Sequence, residues 1–146
     1  MRCTVIRKIM IATDGSENAM NAIDCGIGLA KANGAEVKAV YVIPSDNIPV
    51  MLSDLWVKAL DDKLKEEGLK ATEYVVAVGK SQGVYVEPLV INAKTTRDGI
   101  IDFARENNID LIVMGTLGRT RFSHALLGSV AESVVRYAKK RVLVVP

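Results

Sequence analysis

The stretch "LIVMGTLGRTRFSHALLGSVAESVVRYA", Leu111 to Ala138, decides the fold. It opens on an apolar run, Leu111 to Met114, and closes on an amphipathic one, Val130 to Ala138. Between them, Gly115 to Ser129 carries three glycines, two arginines, the only histidine of the chain and no acid. A short apolar run of four residues reads as a buried strand, and apolar positions at helical spacing read as a helix. The unit is therefore strand, long cationic loop, helix.

The same alternation extends outward in both directions. "KIMIAT" (Lys8 to Thr13) reads as a first buried strand. In the helix that follows, Ala19, Ala22, Ile23, Gly26 and Ala30 share a face. Ser16 is placed to cap it, Glu17 suits its positive first turn, and Gly34 stops it. "EVKAVYVI" (Glu36 to Ile43) is a second strand, ended by Pro44. A long helix from Asp54 to Lys80 has Leu60, Leu64, Gly68, Ala71, Val75 and Val78 as its stripe and a mixed-charge outer face. "VYVEPLVI" (Val84 to Ile91) is the third strand. Thr95 and Asp98 have capping-box spacing for a helix reaching Asn107, and Asp110 to Gly115 is the fourth strand. Ser129 and Glu132 repeat the capping-box spacing before a helix expected to bury Ala131, Val134, Val135 and Ala138. Val142 to Val145 is the fifth strand.

The strands are continuously apolar rather than alternating, so both faces should be covered by helices. The expected architecture is one α/β domain spanning residues 1–146. It is an open, doubly wound, parallel five-stranded sheet, βαβαβαβαβ, in strand order 3-2-1-4-5.

Composition narrows the function. Aromatic residues are 5% of the chain, which argues against a base-stacking platform for single-stranded nucleic acid. The net charge of +2 implies no polyanionic partner, so any basic site must be local. Cys3 and Cys25 have no metal-ligand spacing, and one histidine makes a histidine-based zinc site untenable. No apolar run approaches the roughly 20 residues of a membrane span. A cytoplasmic protein with reduced thiols is expected, with no nucleic-acid or membrane partner.

In sheets of this kind ligands sit beyond the carboxyl ends of the strands, where the strand order reverses. Two loops reach that point: "TDGS" after the first strand and the Gly115–Ser129 stretch after the fourth. Gly115 and Gly118 permit close backbone approach. Gly128 precedes a helix whose amino end exposes unpaired N–H groups. Between Asp110 and Glu132 lie 21 residues without an acid, with Arg119 and Arg121 inside. Glycine turns, free N–H groups and arginines suit phosphate. Each feature also has a plain structural use, Gly115 as a strand end and Ser129 as a cap. The loop lacks the Walker A pattern, and no G-x-G-x-x-G follows a strand. Asp14, at the tip of the first strand, is placed to hold a ribose hydroxyl or to start a helix. His124 stands alone, without a neighbouring nucleophile or acid.

Gly115-x2-Gly118-x9-Gly128-Ser129 resembles the nucleotide motif of the universal stress protein family, in its ATP-binding branch. "KIMIATDGSENA" is similar to that family's opening strand and turn, and "LLGSVAESVVRYAKKRVLVVP" to its closing helix and strand. The resemblance implies an ATP site. Ala12, Thr13 and Asp14 would line the adenosine, with Asp14 on the ribose. Val42 would border the adenine, and Met114 and Gly115 would close the other side. Gly118, Arg119, Gly128, Ser129 and Val130 would hold the phosphates. Leu117 departs from the motif, which often has histidine there. The resemblance also implies a homodimer paired through the last strand, 142–145. A divalent cation, Mg²⁺ or Mn²⁺, is expected only through the phosphates and waters.

Three functions follow. One is a non-enzymatic ATP-binding sensor or switch in the stress response. Another is a slow ATPase or phosphotransferase at the same site. It would draw charge stabilisation from Arg119 and Arg121, but no residue stands out as a base. The last is an FMN-binding domain, disfavoured by the scarcity of aromatics.

Overall fold

A computed structural model of the chain describes residues 5–46, 51, 53–116 and 127–146. The described elements are β1 (Lys8–Ala12), α1 (Met20–Asn33), β2 (Glu36–Pro44), α2 (Asp54–Ser81), β3 (Val86–Ala93), α3 (Thr96–Glu106), β4 (Leu111–Gly115), α4 (Ser129–Tyr137) and β5 (Arg141–Val145). A 3-10 turn, Glu17–Ala19, leads into α1. The five strands form one parallel sheet in the expected order, β3-β2-β1-β4-β5.

Strand pleating divides the core in two. Ile9 and Ile11 of β1 point into a cluster with Ile23 and Ile27 of α1, Val75 of α2 and Val113 of β4. Met10 and Ala12 point the other way, into a cluster with Ile100 and Ala104 of α3, Ile112 and Met114 of β4, and Ala131 and Val134 of α4. Alternate residues of a strand face opposite sides, so each face is clad by its own pair of helices. β1 lies at the centre, and Ile9, Met10 and Ile11 are fully buried.

At the opposite end of the sheet, Asp110 ties β4 to β1. Its Oδ2 accepts from the backbone N–H of Arg7 and of Lys8, both at 2.9 Å. Desolvation is the largest single influence on this carboxyl and raises its pKa. The two N–H bonds, with the charges of Arg141 and Lys140, outweigh it and hold the group below the usual carboxylate value.

Several local expectations shift. β3 runs Val86–Ala93 rather than Val84–Ile91, because α2 closes later than its stripe indicates. The N–H groups of Gln82, Gly83 and Val84 still turn back to the carbonyls of Gly79 and Lys80. Pro88 is tolerated inside β3 because that strand is an edge. Val135 is 50% exposed rather than buried. Ser16 precedes the 3-10 turn but makes no side-chain cap bond. The Thr95 half of the first capping box forms, its Oγ1 accepting from Asp98 N at 3.1 Å. The Asp98 carboxylate meets Arg97 Nε instead, at 3.4 Å.

Candidate functional site: the crevice at the strand-order switch

β1 and β4 are neighbours, yet their following helices lie on opposite faces of the sheet. The chain diverges between them and leaves a crevice at their carboxyl ends. Ala12 ends β1, and Thr13 N still donates to Val40 O at 3.0 Å. β2 continues past that point, so Val42 overhangs the end of β1. From the other side, Val113 pairs with Ile11, which sets Met114 level with Ala12. Ala12, Val42 and Met114 belong to one apolar cluster, with Val130 of α4 packed against it. Four of the residues expected around an adenosine and its phosphates are thus brought together.

Asp14 begins the turn out of β1. Its Oδ1 accepts from Ser16 N at 2.9 Å, and Gly15 N donates to Thr13 Oγ1 at 3.1 Å. Gly15 has φ +79°, a conformation that favours glycine. This turn leaves the half-buried carboxylate of Asp14 at the strand tip. Thr13 is buried, its Oγ1 accepts from Gly15 N, and the residue also lines a hollow between α1 and α2.

The glycine stretch departs from β4 and returns to it. Thr116 N donates to Val145 O at 3.2 Å, and Gly128 N donates to Thr116 O at 2.6 Å. The two ends of the loop are therefore pinned together beside β4. Gly118 and Arg119 lie outside the described residues, as do Leu117, Arg121 and His124. Gly128, not Ser129, is the N-cap of α4, with φ −68° and ψ 161° and no side-chain cap bond. The second capping box is not formed. Ser129 is already the first helical residue, and the Glu132 carboxylate pairs with Arg136 at 3.0 Å. The first turn of a helix has N–H groups without intrahelical partners, and a glycine N-cap contributes no side-chain acceptor for them.

A cavity of about 270 Å³ opens beside this helix start. Among the described residues, Ser129, Val130 and Ser133 line it from α4, Thr95 to Arg97 from the start of α3, and Pro44 and Asp46 from the end of β2. Arg97 stands over the Tyr137 ring at 5.2 Å. Asp46, Arg97 and Ser133 escaped the sequence reading. They carry no motif of their own, and their only signal was position just past a strand end or inside a helix start. No helix among the described residues is long and apolar enough to cross a membrane.

Comparison with known proteins agrees with this architecture. The sequence pattern of the Universal stress protein family matches residues 6–146. Universal stress protein MJ0531 of Methanocaldococcus jannaschii is 38% identical over 140 residues, covering 95% of this chain and 81% of that protein. The solved structure of the hypothetical protein MJ0577, from the same organism, superposes with a TM-score of 0.86 at 29% identity, over 97% of this chain and 96% of that one. A universal stress protein from Archaeoglobus fulgidus, solved in complex with dAMP, shares the fold. Its TM-score is 0.70 at 23% identity, over 98% of this chain and all of that one (100%). The chain belongs to the universal stress protein family.

Proposed function

We propose that this protein is a single-domain, adenine-nucleotide-binding module of the cytoplasm. It takes ATP in the crevice between β1 and β4 and acts as a homodimeric sensor or switch in the stress response. The observation that carries the reading is the start of α4. A helix N-terminus with a glycine N-cap lies at the carboxyl edge of the sheet and is pinned to β4 through the Gly128 to Thr116 bond. That is the arrangement that receives phosphate groups.

The residues present fit such a ligand. The apolar side chains of Ala12, Val42 and Met114 suit an adenine face. The Asp14 carboxylate suits a ribose hydroxyl, since each carboxylate oxygen accepts more than one donor. Gly115, Gly128, Ser129 and Val130 offer backbone and hydroxyl to the phosphates, and Gly118 and Arg119 would complete the cradle. Mg²⁺ or Mn²⁺ would be held through the phosphates. Arg97, at the cavity wall, is a further cation within the same region.

A slow ATPase at the same site is the second reading, motivated by the two arginines of the acid-free stretch. One experiment addresses both. The purified protein is titrated calorimetrically with Mg-ATP and Mg-GTP, and phosphate release is followed in the same samples. Micromolar ATP binding, little GTP binding and no release above the buffer rate supports the switch. Equal affinity for the two nucleotides removes the adenine assignment, and sustained release makes the protein an enzyme.

A further inference from the structure

Arg97 stands in the first turn of α3 with its guanidinium only half engaged. Its Nε donates to Asp98 Oδ1 at 3.4 Å, and its Cζ lies 5.2 Å from the centre of the Tyr137 ring. The two terminal nitrogens of the fork have no hydrogen-bond or ion-pair partner among the described residues. A guanidinium steadied on one edge and one face keeps those remaining N–H donors for an outside acceptor. The flat fork matches the oxygens of a phosphate, which it can meet through two parallel bonds.

The same side chain lines the cavity of about 270 Å³ that Ser129 and Val130 enter from α4. Pockets that hold a whole drug-sized ligand run from about 300 to 1,000 Å³, so this one suits a single end of a nucleotide. Its lining selects the end. Thr96, Ser129 and Ser133 bring hydroxyls and Arg97 brings a cation, while the apolar cluster of Ala12, Val42 and Met114 lies at the crevice. Val130 belongs both to the cavity wall and to that cluster, so the two spaces adjoin. Asp46 is the one carboxylate of the lining, and it forms no ion pair with Arg97.

We propose that Arg97 is a specificity-determining residue that reads the length of the phosphate chain, setting ATP above AMP. This rests on the adenine-nucleotide reading of the crevice. A phosphate chain that passes Ser129 and Val130 enters the cavity, where the free N–H groups of Arg97 donate to its terminal phosphate. Asp46 opposes the same charge from the end of β2. The Arg97 side chain is 47% exposed, so solvent screens the pair and its effect is several-fold rather than many orders of magnitude.

Calorimetric titration of the full chain with AMP, ADP and ATP, without added divalent cation, tests this, with inorganic tripolyphosphate as a further probe. Arg97→Ala should lower ATP and tripolyphosphate affinity several-fold and leave AMP affinity unchanged. Asp46→Asn, which removes the opposing charge, should shift the ATP-to-AMP ratio the other way; if it leaves the ratio unchanged, Arg97→Ala decides alone. Melting curves of both variants accompany the titrations. The inference is overturned if Arg97→Ala keeps the preference of the unmodified protein, if it lowers AMP and ATP affinity equally, or if Asp46→Asn lowers the ratio. Each of those results leaves the nucleotide reading standing. If the unmodified protein takes no adenine nucleotide, that reading falls and tripolyphosphate decides about Arg97. Binding that Arg97→Ala weakens then retains its role toward phosphate chains, and absent or unaltered binding ends it.

Discussion

Gly99 of α3 lies so close to Val42 of β2 that a Cβ on the glycine would stand 2.6 Å from Val42 Cγ1 and 3.0 Å from Cγ2. This contact sets the height of α3 above the sheet, and with it the position of Thr95 to Arg97 at the cavity wall. A Gly99→Ala change must push Val42 or the helix aside. Overpacking of this kind costs about 1–3 kcal/mol, and the displaced Val42 should also weaken ATP binding. Gly28, a second helical glycine with nothing within 4 Å of its would-be Cβ, is the control. Gly28→Ala should stabilise by up to about 1 kcal/mol through helix propensity and leave ATP binding unchanged. Thermal melts and calorimetric titration of both variants check the pair.

Asp14→Ala should weaken ATP binding more than tripolyphosphate binding. A hydrogen bond to a charged group contributes about 1.5–3 kcal/mol, roughly one to two orders of magnitude in Kd. The variant also loses the bond from Ser16 N, so a melting curve must accompany the titration. Equal losses for both ligands would move Asp14 off the ribose.

Gly128→Val should abolish ATP binding while the fold survives. The backbone at Gly128 is extended with negative φ, which a branched residue adopts without strain. The cost therefore falls on the close approach to phosphate. Arg119→Ala should only weaken binding, since it removes one charge and leaves the backbone N–H groups at the start of α4 in place. Normal ATP titration of Gly128→Val would reduce that glycine to a turn residue.

The Asp110 clasp gives a pH dependence. The folded carboxyl is held below the unfolded value of about 3.9, so its contribution is complete above that value. It is lost as pH falls through the lower, folded value. Asp110→Asn should therefore destabilise the protein at neutral pH, by about 1 kcal/mol for the weakened N–H bonds, and flatten the acid limb of the stability curve. Urea midpoints measured across the acid range, for both proteins, supply the comparison.

β5 is an edge strand, and an edge leaves backbone groups ready to pair with another chain. We propose that a homodimer pairs there. Val144 packs on the α3 and α4 side of the sheet, yet it stays partly exposed. Val144→Lys should shift the protein toward monomer in sedimentation at tens of micromolar. A monomer for the unmodified chain under those conditions removes the dimer from the proposal.

The sequence by itself determined the layers and their order. Continuous apolar runs such as Leu111 to Met114 read as strands covered on both faces, and helical stripes between them read as the crossovers of a parallel sheet. It also marked Asp14 and the glycines as the unusual points of the strand ends. What it could not decide were choices made by neighbours distant in sequence. Whether Gly128 or Ser129 begins α4 depends on Gly128 N being held by Thr116 O, at the far end of the loop. Asp98 turned to Arg97 and Glu132 to Arg136, where spacing alone fitted a capping box equally well. Asp46 and Arg97 reach one cavity from two separate strand-to-helix connections. Periodicity reports which face a residue presents, because that follows from backbone geometry. Which partner waits on that face is fixed only when the elements pack.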